Sequence, residues 1–131
     1  MKPSGLFGAI VQGNAKQRDE IIKIRDGIRI ANYELLLHSD FSVIDWDIVV
    51  IDEAHRAKSF TAQTSKKVRQ LTAKARYVWG LSGTPAPNGL CDWHGVLSAV
   101  SPGLLPVKTK TAFEARYCVK REIQPNVWKV A

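Results

Sequence analysis

Short apolar runs, each broken by polar or turn-forming residues, divide the chain into alternating strand-like and helix-like segments. Positions 6–11 form a brief apolar run ending near Gly13 and predict a strand. Asn14 suits a helix N-cap. The spacing predicts a helix over 14–23 with Ile21, Ile22 and Ile24 inward and Gly27 as its stop. Positions 28–31 read as a second strand, and Tyr33 to Leu37 as a helical turn before Asp40. The clearest strand is 47–51. Its four successive β-branched residues, Ile48-Val49-Val50-Ile51, show no alternation and predict burial on both faces, as in a parallel sheet. A helix is expected over 61–75 with Val68 and Leu71 inward, and a strand over 77–81. Pro85, Pro87, Asn88 and Gly89 mark a loop. Leu90, Trp93, Leu97 and Val100 recur at three or four and predict one buried stripe on a helix that Pro102 and Gly103 end. Phe113 and Tyr117 suggest a last short helix.

Strands alternating with helices predict an α/β fold, mostly a parallel sheet flanked by helices. In such sheets ligands bind beyond the carboxyl ends of the strands. At 131 residues the chain suffices for one ordinary domain. No apolar run approaches the ~20 residues of a membrane span, and the first residues lack a secretory pattern. Two cysteines, Cys91 and Cys118, make no disulfide framework. The expected location is therefore intracellular, in cytoplasm or beside the chromosome, with no membrane partner.

The net charge of +7 is unevenly spread. Residues 30–55 carry six acids and no Lys or Arg; residues 56–76 carry seven basic residues and no acid. The first block suits holding a metal and the second, opened by Arg56 and Lys58, suits facing a polyanion. A solvated lysine-rich helix face is the other reading of the basic block.

Two strand ends carry candidate chemistry. The 47–51 strand runs into Asp52, Glu53, Ala54 and His55. Carboxylates there are costly to desolvate without a positive counterpart. Mg²⁺ on nucleotide phosphates takes one or two carboxylates and keeps several waters. Asp52 and Glu53 are then the Mg²⁺ residues, through nucleotide or water, Asp52 holding the ion and Glu53 orienting and deprotonating the water that attacks the γ-phosphate. His55 suits a hydrogen bond to another loop. Helix capping by Asp52 or Glu53 is the competing reading. The second strand end is Ser82-Gly83-Thr84-Pro85, where two hydroxyls flank a glycine that permits close backbone approach. Alone it also reads as a simple turn. It is not a nucleophile elbow, which would need glycine at position 84. Cys91 and His94 are too few for a zinc site, and Cys91 is expected to pack as a small residue.

Together these residues resemble superfamily 2 helicases of the Swi/Snf-type ATPase branch. Asp52-Glu53-Ala54-His55 is similar to their motif II, written DEAH, and Ser82-Gly83-Thr84-Pro85 to their motif III. Ile30-Ala31-Asn32-Tyr33-Glu34 resembles the family's motif Ib stretch. Trp46-Asp47, Arg56-Ala57-Lys58, Pro85 to Leu90 and Phe113 to Cys118 follow the same family's habit. The resemblance implies a partial RecA-like (P-loop NTPase) lobe that uses ATP and Mg²⁺. It implies catalytic roles for Asp52, Glu53 and His55, and coupling of nucleotide state to nucleic acid through Ser82, Gly83 and Thr84. It also implies nucleic-acid contact at Asn32, Tyr33, Arg56 and Lys58, double-stranded DNA as partner, and a second RecA-like lobe.

One departure stands beside the resemblance: no G-x-x-x-x-G-K-[S/T] phosphate loop occurs. Residues 1–131 are thus expected to be a partial helicase ATP-binding domain, lacking that loop and the second lobe. The function expected is a fragment of an ATP-dependent DNA helicase or translocase motor. A non-catalytic nucleic-acid- or partner-binding module is the alternative. A sheet short of strands would expose an edge and apolar surface, so self-association is expected as well.

Overall fold

The computed structural model describes residues 7–58, 62–86, 89–124 and 127–130, with side chains described as far as Val119. The chain divides into two compact units, Met1–Asp45 and Trp46–Ala131.

The first unit is a strand–helix–strand. Strand β1 (Gly8–Ile10) and strand β2 (Ile28–Ile30) pair in parallel, Gly8 opposite Ile28 and Ile10 opposite Ile30. Helix α1 (Ala15–Ile22) joins them. Its start is the expected Asn14 cap. The Asn14 Oδ1 accepts from the Gln17 N–H at 3.0 Å, and Gln17 Oε1 accepts from the Asn14 N–H at 2.9 Å. Two otherwise orphaned donors are thus satisfied reciprocally. The helix ends five residues before Gly27, with Lys23 as its C-cap. Arg29 completes that end, its Nε donating to the Ile21 carbonyl at 3.1 Å and an Nη to that of Asp26 at 2.7 Å. Gly27, expected to stop the helix, instead holds φ at +96° on entry to β2, where a Cβ would overlap the Phe7 carbonyl. Val11, Ile22 and Phe41 form this unit's core. Ile21 is only half-buried and Ile24 is exposed, because the face of α1 that meets the core is centred on Ile22. Helix α2 (Leu35–His38) and a 3₁₀ turn (Phe41–Val43) complete the unit. Arg18 ties α1 to them, donating to Ser39 Oγ at 2.9 Å and to the His38 carbonyl at 3.3 Å.

In the second unit, strand β3 (Ile48–Ile51) pairs in parallel with strand β4 (Tyr77–Gly80), Val50 opposite Trp79 and Ile51 opposite Gly80. Between them come a 3₁₀ segment (Ala54–Lys58) and helix α3 (Gln63–Thr72). Helix α4 (Asp92–Val100) and helix α5 (Lys110–Tyr117) follow. Then strand β5 (Lys120–Gln124) pairs antiparallel with strand β6 (Val127–Val130), a hairpin the apolar pattern does not announce. Val49 and Ile51 point into a core made with Ala54, Ala57, Val68, Val96, Ala99 and Phe113. The Thr72 hydroxyl, itself buried, donates to the Ala99 carbonyl at 2.6 Å and ties α3 to α4.

Burial here departs from the sequence expectation in three places. Strand β3 is buried on one face only: Ile48 and Val50 are each 50% exposed, as are their neighbours Tyr77 and Trp79 at 53% and 59%. A run of β-branched residues reads the same whether one face or both are covered, and here, of the strand's residues, Val49 and Ile51 alone are buried. On α4 the buried residues are His94, Gly95, Val96 and Ala99, not the stripe of large residues; Leu90 is exposed. Gly95 sets that face. A Cβ at this position would overlap the carbonyl of Lys58, so the helix turns its glycine toward the 3₁₀ segment and settles against that backbone. Leu71 on α3 is half-buried beside fully buried Val68, and Ser65 and Thr72 share the inward face. Pro87 and Asn88 of the expected loop lie outside the described residues.

Candidate functional site at the ends of β3 and β4

The parallel pairing of β3 and β4 brings both motif-bearing ends to one place. The ladder continues past the strands: the Leu81 N–H donates to the Ile51 carbonyl and the Ala54 N–H to the Leu81 carbonyl, each at 2.8 Å. Asp52 and Glu53 leave β3 at its carboxyl end, where both are exposed. Asp52 Oδ1 accepts from the Glu53 N–H at 2.9 Å. Glu53 adopts φ +48°, alone among the described non-glycine residues in having positive φ. That left-handed conformation costs on the order of 1 kcal/mol or more for a residue with a Cβ, and such positions concentrate at functional sites.

The turn through Glu53 starts the 3₁₀ segment and swings His55 back toward β4. His55 Nδ1 lies 2.9 Å from Ser82 Oγ and 3.2 Å from Glu53 Oε2. A carboxylate oxygen and a hydroxyl oxygen can both accept, so in the tautomer that carries a proton on Nδ1 the ring can donate to Glu53 or to Ser82. Ser82 Oγ also accepts from the Thr84 N–H at 3.2 Å. Glu53, His55, Ser82 and Thr84 thus form one hydrogen-bonded line across the two strand ends. At Gly83 nothing lies within 4 Å of where a Cβ would stand, so no close approach inside the chain accounts for it.

The remaining candidates fall elsewhere. Asn32 and Tyr33 belong to the first unit, where Asn32 Oδ1 accepts from the Leu35 N–H at 3.1 Å. Arg56 is exposed on the 3₁₀ segment. Lys58, expected to face a polyanion, is drawn inward: its Nζ lies 3.0 Å from Asp92 Oδ2 in a half-buried pair. Sequence reasoning missed this pair because its partners are 34 residues apart. It also treated Cys91 as a solitary packing residue, whereas its sulfur meets that of Cys118.

The donor set fits a magnesium–nucleotide complex. Among the described residues no group of three His, Cys, Asp or Glu forms a cage. A cage is not what Mg²⁺ requires, since it takes one or two carboxylates and completes its shell with water and phosphate. Two exposed carboxylates at a strand end meet that need. No helix among the described residues is long and apolar enough to cross a membrane.

Comparison with known proteins bears on the family and the fold. The ISWI chromatin-remodeling complex ATPase ISW1 of Saccharomyces cerevisiae is 30% identical over 102 residues, covering 72% of this chain and 9% of that protein. DNA repair and recombination protein RAD54B of Homo sapiens is 33% identical over 90 residues, covering 66% of this chain and 10% of that protein. Among solved structures, the Sulfolobus solfataricus SWI2/SNF2 ATPase core in complex with dsDNA is similar with a TM-score of 0.68 and 28% identity, over 87% of this chain and 23% of that one. The chain therefore spans about a tenth of these curated relatives and about a quarter of that structure. The α/β class and RecA-like character expected from the sequence are borne out, and DEAH names four residues here rather than a separate helicase class. The SNF2-related domain matches residues 2–126, and the chain belongs to that family.

Proposed function

We propose that this chain forms the part of a first RecA-like lobe that handles the magnesium–ATP end of a DNA-dependent ATPase motor. The observation that carries the reading is the line from Glu53 through His55 to Ser82 at adjacent ends of two parallel strands. Asp52 would hold the Mg²⁺ through water. When bound, that ion neutralises phosphate charge as the γ-phosphoryl group leaves. Glu53 orients the attacking water and takes its proton. His55, Ser82 and Thr84 transmit the state of that carboxylate to the loop after β4. Asn32, Tyr33 and Arg56 are the proposed contacts to a nucleic-acid backbone, and double-stranded DNA is the partner named for the solved relative. The phosphate loop and a second lobe have to come from outside these residues.

The test is Glu53→Gln in the two-lobed motor that carries this segment. Glutamine keeps the shape and loses the base, so ATP turnover should be abolished while ATP binding stays largely intact. Unchanged turnover refutes the assignment.

A binding-only role is the second reading, favoured by the net charge of +7. A salt titration of duplex binding by this chain tests it: phosphate contacts give a steep fall of log affinity with log salt, and a flat line excludes it. The bare face of Ile48, Val50, Tyr77 and Trp79 also offers a route to self-association. Light scattering checks this, and a clean monomer at high concentration argues against it.

A further inference from the structure

Cys91 and Cys118 stand 27 residues apart in the chain and at the ends of different helices. Cys91 is the residue before α4 and Cys118 the residue after α5. Their sulfurs meet, and their Cα atoms are 6.4 Å apart. That separation falls within the ~4.4–6.8 Å that a disulfide spans. Both residues are half-buried, which leaves a small reagent a way in. The rest of the α4–α5 junction is aromatic: buried Phe113 lies 5.4 Å from the His94 ring and 4.9 Å from that of Tyr117. Next to Cys91, Asp92 pairs with Lys58 of the segment that carries His55. A bond between the two sulfurs would therefore fasten the end of α5 to the frame behind the β3 end.

We propose that Cys91 and Cys118 are a reversible thiol–disulfide site that reacts with small-molecule disulfides of the glutathione class. One cysteine thiolate attacks a sulfur of glutathione disulfide. The reagent's S–S bond breaks, and one glutathione thiolate leaves. The other cysteine then gives up its proton and attacks the protein sulfur of the mixed disulfide, expelling the second glutathione thiolate. Two protein thiols become one disulfide, one glutathione disulfide becomes two glutathione thiols, and both protons end on glutathione. A dithiol reductant reverses the sequence.

The experiment treats the folded chain with glutathione disulfide and follows thiols by maleimide labelling, with intact mass and thermal unfolding alongside. Both thiols should disappear together, with loss of the mass of two hydrogen atoms and no change in chain number. Closing a loop of this length should raise the thermal midpoint by roughly 10 °C over the reduced chain. Dithiothreitol should restore both thiols and the lower midpoint. Cys118→Ser should instead gain one glutathione and show no such rise. The proposal is overturned if both thiols stay reactive in the folded chain under conditions that oxidise it in urea. It is equally overturned if oxidation gives only separate glutathione adducts or chain-to-chain links. The wild-type measurement stands even if the serine variant does not fold.

Discussion

His55 Nδ1 and Ser82 Oγ lie 2.9 Å apart, joining the ends of two neighbouring strands across 27 residues of sequence. The same nitrogen reaches Glu53, and the same oxygen holds the Thr84 backbone. Removing the hydroxyl cuts this line at its middle without touching either strand. Ser82→Ala in the complete motor should lower the stimulation of ATP turnover by duplex DNA by roughly 2- to 10-fold, the range set by one hydrogen bond of ~0.5–1.5 kcal/mol. Basal turnover without DNA should change less. Steady-state ATPase assays with and without duplex decide it, and equal losses in both would mean that Ser82 shapes the site rather than linking it.

Glu53 holds φ at +48° while carrying a Cβ. The left-handed penalty of about 1–2 kcal/mol falls on alanine as well as on glutamate, whereas glycine escapes it and loses about 0.5–1 kcal/mol to its freer unfolded chain. The steric penalty outweighs the entropy loss. Glu53→Gly should therefore be more stable than Glu53→Ala by about 0.5–1 kcal/mol, although both remove the proposed base. Thermal or urea unfolding of the two variants measures the difference, and an alanine variant of equal or greater stability would show that the turn relaxes out of this conformation.

Gly95 faces the Lys58 backbone so closely that a Cβ would overlap its carbonyl. In an exposed helix interior, Gly→Ala gains about 1 kcal/mol from propensity. Here the added methyl meets backbone that no rotamer change can move, and overpacking of this kind costs roughly 1–3 kcal/mol or more. The clash is with backbone and outweighs propensity, so Gly95→Ala should destabilise the chain by up to about 2 kcal/mol net. Gly83 has open space at the same position and serves as the control, its alanine variant changing stability by no more than about 0.5 kcal/mol.

The contrast between Gly95 and Asp52–Glu53 shows what the sequence makes legible. An apolar strand ending in two acids marks the site because local sequence alone puts them there, and the Asn14 cap is local in the same sense. The buried face of α4 is set instead by how near its backbone comes to Lys58, a distance no periodicity encodes. Large residues at Leu90, Trp93, Leu97 and Val100 therefore drew attention away from the smaller buried face. Likewise β3 cannot reveal from its own residues that only one of its faces is buried. The Lys58–Asp92 pair and the meeting of Cys91 with Cys118 depend on chain separations of 34 and 27 residues, beyond the reach of any motif. The β5–β6 hairpin is illegible for a different reason: β5 reads Lys-Arg-Glu-Ile-Gln, with Ile123 its one β-former, so no apolar alternation marks it.

His94 is 2% exposed and packs against Phe113, with ring centroids 5.4 Å apart. Burial lowers its pKa below the ordinary 6.5, and the charge of Lys110 pushes the same way; a hydrogen bond with the Lys108 backbone and the charge of Glu114 oppose them without prevailing. The neutral ring is thus favoured in the folded chain more than in the unfolded one. Between the depressed folded value and 6.5 the unfolded chain binds more protons, so stability rises with pH across that window. His94's contribution is fully present above the unfolded value. It declines as pH falls through 6.5 and levels off once pH passes below the folded value. Urea unfolding at several pH values from neutral down to mildly acidic conditions should show this decline in the wild-type chain. His94→Gln removes the titrating group, and subtracting its pH profile isolates the histidine from the carboxylates that titrate lower. A flat difference profile would mean that the fold leaves the ring's titration unchanged, and one that rises toward acid would mean that the fold favours the charged ring; either outcome would make the α4–α5 junction wetter than its packing indicates.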